Sequence, residues 1–161
     1  MNAIKKITLS NALKQLLVGS TLVIASLLHA ASALAADTPV GTWETIDDKT
    51  GQPKSLVEIS ADSNGVLSGK IVKGLGPTAD PERRCTACKD ANKDQLIRGM
   101  TIISGLKKDD DEWNGGTVLD PESGKTYKCK MYLEDNGQKL VVRGYIGFAL
   151  VGRSQTWNRQ Q

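Results

Sequence analysis

The sequence predicts an all-β domain: a small antiparallel up-and-down barrel of about eight strands. Three observations carry that expectation. Apolar and polar residues alternate in short runs, as where Tyr127, Cys129, Met131 and Leu133 share one face and Lys128, Lys130 and Tyr132 the other. Turn-forming residues such as Asn64-Gly65, Pro121 to Gly124 and Asn136-Gly137 separate the runs. Most of these connections are tight, and tight hairpins join antiparallel neighbours.

Taken in order, Val40 to Asp47 opens the series and Asp48-Lys49-Thr50-Gly51 turns it. Lys54 to Ser60 is the second strand, and Asp62-Ser63-Asn64-Gly65 closes a hairpin onto Val66 to Lys73. Gly74 to Asp94 mixes glycine, proline, charge and two clustered cysteines, and reads as a long loop. Asp90 to Arg98 has room for a single helical turn. Met100 to Leu106 is the fourth strand, followed by an acidic tip from Lys107 to Asp111. Glu112 to Leu119, Lys125 to Glu134 and Gln138 to Ile146 follow as the fifth, sixth and seventh. Phe148 to Arg159 is expected as the eighth, its faces less distinct, as in a strand buried on both sides. Closing eight strands removes exposed edges and leaves an interior that side chains fill or that holds one small ligand.

Residues 1 to about 35 have the features of a cleavable signal peptide. Lys5, Lys6 and Lys14 precede a mostly apolar run from Leu16 to Leu28, and Ala33-Leu34-Ala35 fits a peptidase site. The run is short for a membrane span, which needs about twenty apolar residues. No cysteine in this stretch could carry a lipid anchor. The expectation is therefore an exported single domain over residues 36–161, placed in the periplasm rather than fully secreted, since no further targeting element is visible.

Losing this leader changes the charge balance. The chain has 21 basic and 18 acidic residues, and the three leader lysines leave 18 against 18. Nothing in that balance suggests nucleic acid or a polybasic lipid-binding stretch. The single histidine, His29, leaves too. Without it there is no Ser-His or Cys-His catalytic pair and no imidazole metal ligand. An enzyme is not expected, nor a cofactor or metal.

Cys85-Thr86-Ala87-Cys88 is the most conspicuous motif. A zinc site would need four ligands, and only Cys129 and carboxylates remain to complete it. A redox pair would want its first cysteine at a helix start within a βαβ context, which the pattern lacks. A structural disulfide pinning the long loop is expected. Cys129 falls on the apolar face of its strand and is expected to be buried and inert. Asp109-Asp110-Asp111-Glu112 lacks calcium-loop spacing and reads as a solvated tip. Arg143 follows the apolar Leu140-Val141-Val142; facing inward it would need an anionic partner, and an outward or internally paired arginine is the alternative. Tyr127 and Arg143 are the candidate ligand contacts.

The chain also resembles a known family. Gly41-Thr42-Trp43, Gly115-Gly116 before Leu119-Asp120-Pro121, Gly124-Lys125-Thr126-Tyr127, Arg143-Gly144-Tyr145-Ile146-Gly147 before Gly152-Arg153, and Trp157-Asn158-Arg159 form an ordered series. That series is similar to the bacterial exported family known as domain of unknown function 2147. The resemblance implies a lipocalin-like (calycin) barrel of unestablished activity. It also implies that Trp43 packs under a basic residue of the last strand, Arg153 or Arg159, to close one end. A possible partner is then a small apolar or amphipathic molecule inside the barrel. The alternative is a filled barrel acting through its surface or the Cys85–Cys88 loop; no protein partner is identified.

Overall fold

The computed structural model describes residues 37–76 and 79–160. The leader expected over residues 1–35 lies outside them. Eight strands form: β1 (Gly41–Ile46), β2 (Pro53–Ala61), β3 (Leu67–Gly74), β4 (Thr101–Asp109), β5 (Glu112–Asp120), β6 (Lys125–Glu134), β7 (Lys139–Tyr145) and β8 (Gly152–Arg159). Each pairs with the next in antiparallel register, and β8 returns to β1 through Trp43 opposite Arg159 and Glu44 opposite Asn158, closing the barrel.

The turns are built by local side-chain chemistry. Asp62 accepts hydrogen bonds from the Asn64 and Val66 amides, at 2.8 and 2.9 Å, and sets the β2–β3 hairpin. Asp120 does the same for β5–β6, accepting from the Glu122 amide at 3.0 Å and the Ser123 hydroxyl at 2.6 Å. Asp47 accepts from the amides of Thr50 and Lys49 and from the Thr50 hydroxyl. The Thr50 bonds, ahead of the Lys49 amide, hold its carboxyl below the usual carboxylate range. In each case an aspartate at a strand end fixes the reversal.

Two strand boundaries differ by more than one residue from the sequence expectation, and the single helical turn expected in the long loop is present. β4 runs on to Asp109, so the acidic tip shrinks to Asp110-Asp111. The helical turn in the long loop is a single 3-10 turn, Asp90–Asn92. The eighth strand begins at Gly152 instead of Phe148, and the residues before it form an exposed tip. Gly147, at φ +66°, takes the backbone out of the extended region and ends the pairing there.

Alternate residues point inward and meet. Trp43, Val57, Ile59, Ile103, Leu106, Cys129, Met131 and Leu140 form one cluster, each 0–1% exposed. Fully burying such side chains is worth about 1.5–3 kcal/mol each. Gly116 makes room for this packing, since a methyl group there would lie 2.4 Å from the Ser104 carbonyl and 2.7 Å from Leu106.

The strand directions define two ends. The floor carries the entrance to β1, the exit of β8 and the β2–β3, β4–β5 and β6–β7 turns. The crown carries the β1–β2 loop, the long β3–β4 loop, the β5–β6 turn and the β7–β8 tip.

Candidate functional site

The floor is closed by one arginine. The Arg159 guanidinium carbon lies 4.2 Å from the centre of the Trp43 ring. Its Nε donates to Gly137 O at 2.7 Å, Nη1 to Val40 O at 3.1 Å and Nη2 to Thr38 O at 2.7 Å. The indole Nε1 of Trp43 donates to Pro39 O at 2.8 Å. Arg159 thus takes the position over the tryptophan. Arg153 does not: it points out at the crown, its Nη2 2.8 Å from Asp48 Oδ2.

From the floor up to the level of Ile103 and Cys129 the interior is filled. A void wide enough for water would leave some surface on the atoms around it. Val57, Ile103, Leu106, Cys129, Met131 and Leu140 have none. The Cys129 thiol is pushed up to about 12 by this burial, which keeps it protonated and unreactive near neutrality.

The crown is closed as well. Cys85 and Cys88 are joined in a disulfide with their Cα atoms 5.3 Å apart, are 0 and 3% exposed, and belong to the same apolar cluster as the barrel core. Cys85 Sγ lies 3.2 Å from Pro121 O. A methyl group on Gly124 would sit 1.9 Å from Ala87 O, so the β5–β6 turn is seated directly on the disulfide loop. Glu122 on that turn meets Lys54 of β2 at 2.9 Å and Arg83 of the long loop at 3.7 Å. A polar string lines the crown between β8 and the β1–β2 loop. Trp157 Nε1 donates to Gln155 Oε1 at 3.2 Å, and Gln155 Nε2 donates to Asp48 Oδ2 at 2.5 Å.

Space for a ligand therefore lies outside the packed core. A groove of about 550 Å³ runs along the crown between the disulfide loop, the β5–β6 turn and the root of the β7–β8 tip. Leu119, Tyr127 and Ile146 give it apolar wall, and Lys89, Asp90 and Lys125 give it charge. Of the two ligand contacts expected from the sequence, Tyr127 lines this groove. Arg143 does not; it faces outward, with three of its five N–H donors on Ala149 O, Leu150 O and Ser154 Oγ.

A second depression of about 430 Å³ lies beside the acidic β4–β5 tip. There Asn114 Nδ2 donates to Asp109 at 2.8 Å, and Lys130 lies 2.8 Å from Glu112, whose carboxyl that lysine holds below its usual range. Among the described residues no three His, Cys, Asp or Glu side chains converge as metal ligands.

The feature that sequence reasoning missed is the tip itself. Ile146, Phe148, Leu150 and Val151 are 66, 84, 92 and 69% exposed. The apolar run from Phe148 to Val151 matches a strand; the bracketing glycines, Gly147 and Gly152, are the sequence's sign of a turn.

Fold and site together define a lipocalin-like barrel with a core packed from the floor to its middle. The chain belongs to a family described as uncharacterised proteins conserved in bacteria, DUF2147, which it matches over residues 41–159. No curated protein matches it. Among solved structures it is similar to protein HP1028 of the human pathogen Helicobacter pylori, which belongs to the lipocalin family. The two share 19% identity with a TM-score of 0.65, covering 76% of this chain and 82% of that one. At that identity the likeness is one of fold.

Proposed function

We propose that this is an exported, periplasmic binding protein, not an enzyme, and that it holds a small apolar or amphipathic molecule in the crown groove instead of inside the barrel. The observation that carries the reading is the groove beside a core without room. Its volume, about 550 Å³, falls within the range of small-molecule sites, about 300–1,000 Å³. Leu119, Tyr127 and Ile146 suit an apolar body, while Lys89 and Lys125 suit an anionic head. The leader-like residues 1–35 and the Cys85–Cys88 disulfide support an oxidising compartment outside the cytoplasm.

Native mass spectrometry of protein purified from its own host, followed by organic extraction, tests this. The expected result is an adduct of constant mass, lost on unfolding and absent from a Tyr127→Ala, Lys125→Glu double variant that still folds. Bare protein that also fails to bind a long-chain fatty acid in solution would overturn it. A second reading, a packed barrel that acts through its surface, is favoured by the exposed β7–β8 tip.

A further inference from the structure

Single exposed apolar side chains are ordinary; several side by side at one hairpin tip mark an interaction site. The β7–β8 tip has Ile146, Phe148, Leu150 and Val151, none less than 66% exposed. Its backbone is prepared in an unusual way. Val151 O accepts from the Ile146 amide at 3.1 Å and Phe148 O from the Val151 amide at 3.0 Å. Arg143 Nε donates to Ala149 O at 2.8 Å and its Nη2 to Leu150 O at 3.3 Å, with Nη1 on Ser154 Oγ at 3.1 Å. Four consecutive carbonyls of an exposed loop are thus bonded within the protein, although water could serve all of them. The carbonyl side of such a loop has shed the cost of being taken out of water.

On the strands that lead into the tip the charge is of one sign; Asp48 and Asp90 approach it from neighbouring loops. No Asp or Glu occurs from Lys125 to Leu133 or from Gln138 to Gln161. Lys128 stands opposite Tyr145 at the foot of the tip, and Arg143 and Arg153 lie on the two strands that lead into it. Arg153 is met by Asp48; Arg143 and Lys128 have no ion pair among the described residues. The balanced charge of residues 36–161 hides this, because strand pairing gathers the cations that the sequence spreads out.

We infer that the β7–β8 tip is a membrane-docking prong that sinks Phe148 and Leu150 beneath the headgroups of an anionic lipid surface, with Arg143 and Lys128 resting on the phosphates. This names the partner for the surface reading and rests on it; the groove reading stands or falls separately. A second copy of the chain fits less well. A two-fold contact of tip on tip would bring the two cationic collars face to face. A shallow apolar insertion with basic residues at the interface is the arrangement that binds anionic leaflets.

The test uses the protein in the form its host accumulates. Phe148→Trp places a reporter on the tip, against a constant background from Trp43, Trp113 and Trp157, which are 0, 7 and 3% exposed. With vesicles of phosphatidylglycerol and phosphatidylethanolamine, its emission is expected to shift to the blue and to be quenched by brominated acyl chains. Phosphatidylcholine alone should give a much weaker response, and added salt should reduce binding to the anionic vesicles. A Phe148→Asp, Leu150→Asp variant should partition into vesicles at least about tenfold less, at unchanged melting temperature. The groove adduct should survive in that variant, which separates this inference from the small-molecule reading. Absence of quenching at position 148, or vesicle binding indifferent to the double variant, would overturn the inference. So would a lipid-free dimer in light scattering that the double variant abolishes, since the tip would then belong to a second copy.

Discussion

Arg159 reaches three carbonyl oxygens, on the segment before β1 and on the β6–β7 turn, while its guanidinium lies over Trp43. Hydrogen bonds from a charged group to partly buried carbonyls contribute about 1.5–3 kcal/mol each and are not additive. Arg159→Met is therefore expected to cost about 2–4 kcal/mol in urea unfolding. Arg153→Met, whose side chain is 68% exposed, should cost less than about 1 kcal/mol in the same assay. The sequence left these two arginines equivalent. Register separates them: they stand six residues apart on one strand, about 20 Å, at opposite ends of the barrel. Cys129 gives a pH prediction. Its thiol is raised by burial to about 12 from an ordinary 9.0, so between those values the unfolded chain binds fewer protons than the folded one. Stability from this residue is intact below pH 9 and falls as pH rises through that window, by up to about 1.4 kcal/mol per unit. Denaturation from pH 8 to 11 should show the slope, and Cys129→Ala should flatten it.

At the scale of elements, the disulfide loop and the β5–β6 turn act as one unit. A bridge across a separation of three residues removes little chain entropy, about 2 kcal/mol. Its main consequence is the shape of the loop above the core. Replacing Cys85 and Cys88 by serine should raise hydrogen exchange across 83–97 and 121–124 while the floor strands stay protected. Gly124→Ala should do the same with the disulfide intact, because φ is +67° there and the added methyl meets Ala87 O. The turns around this unit were legible because aspartate, asparagine and glycine dictate local geometry. The β7–β8 tip was not. Phe148, Leu150 and Val151 have the composition of a strand; Gly147 and Gly152 hint at a turn, and the partner register, with Tyr145 opposite Gly152, excludes them from the sheet. Arg143 was legible as a residue needing partners, but those partners are carbonyls of a loop whose path the sequence does not reveal.

At the scale of the whole molecule, every seam but one joins strands adjacent in sequence, and the fold class was legible for that reason. The exception is β1 with β8, which must wait for nearly the whole chain and is anchored by Arg159. Closure of that seam is expected late in folding. Arg159→Met should then speed unfolding and leave the refolding rate almost unchanged in a stopped-flow chevron, with a φ-value below about 0.3. What the sequence could not reveal is occupancy of the interior. Whether inward side chains meet or leave a chamber depends on barrel width and on small gaps such as the one Gly116 opens for Leu106, and no local pattern encodes either. The same closure leaves both ends of the described barrel at the floor: Arg159 holds Thr38 and Val40, and the Gln160 amide donates to Thr42 O. A linker could therefore splice one end to the other, and new ends could be cut into a floor hairpin such as Asp62–Gly65 without touching the crown. By the same geometry, a tether fused after Gln160 would mount the barrel on a sensor chip with its groove and prong facing the solution.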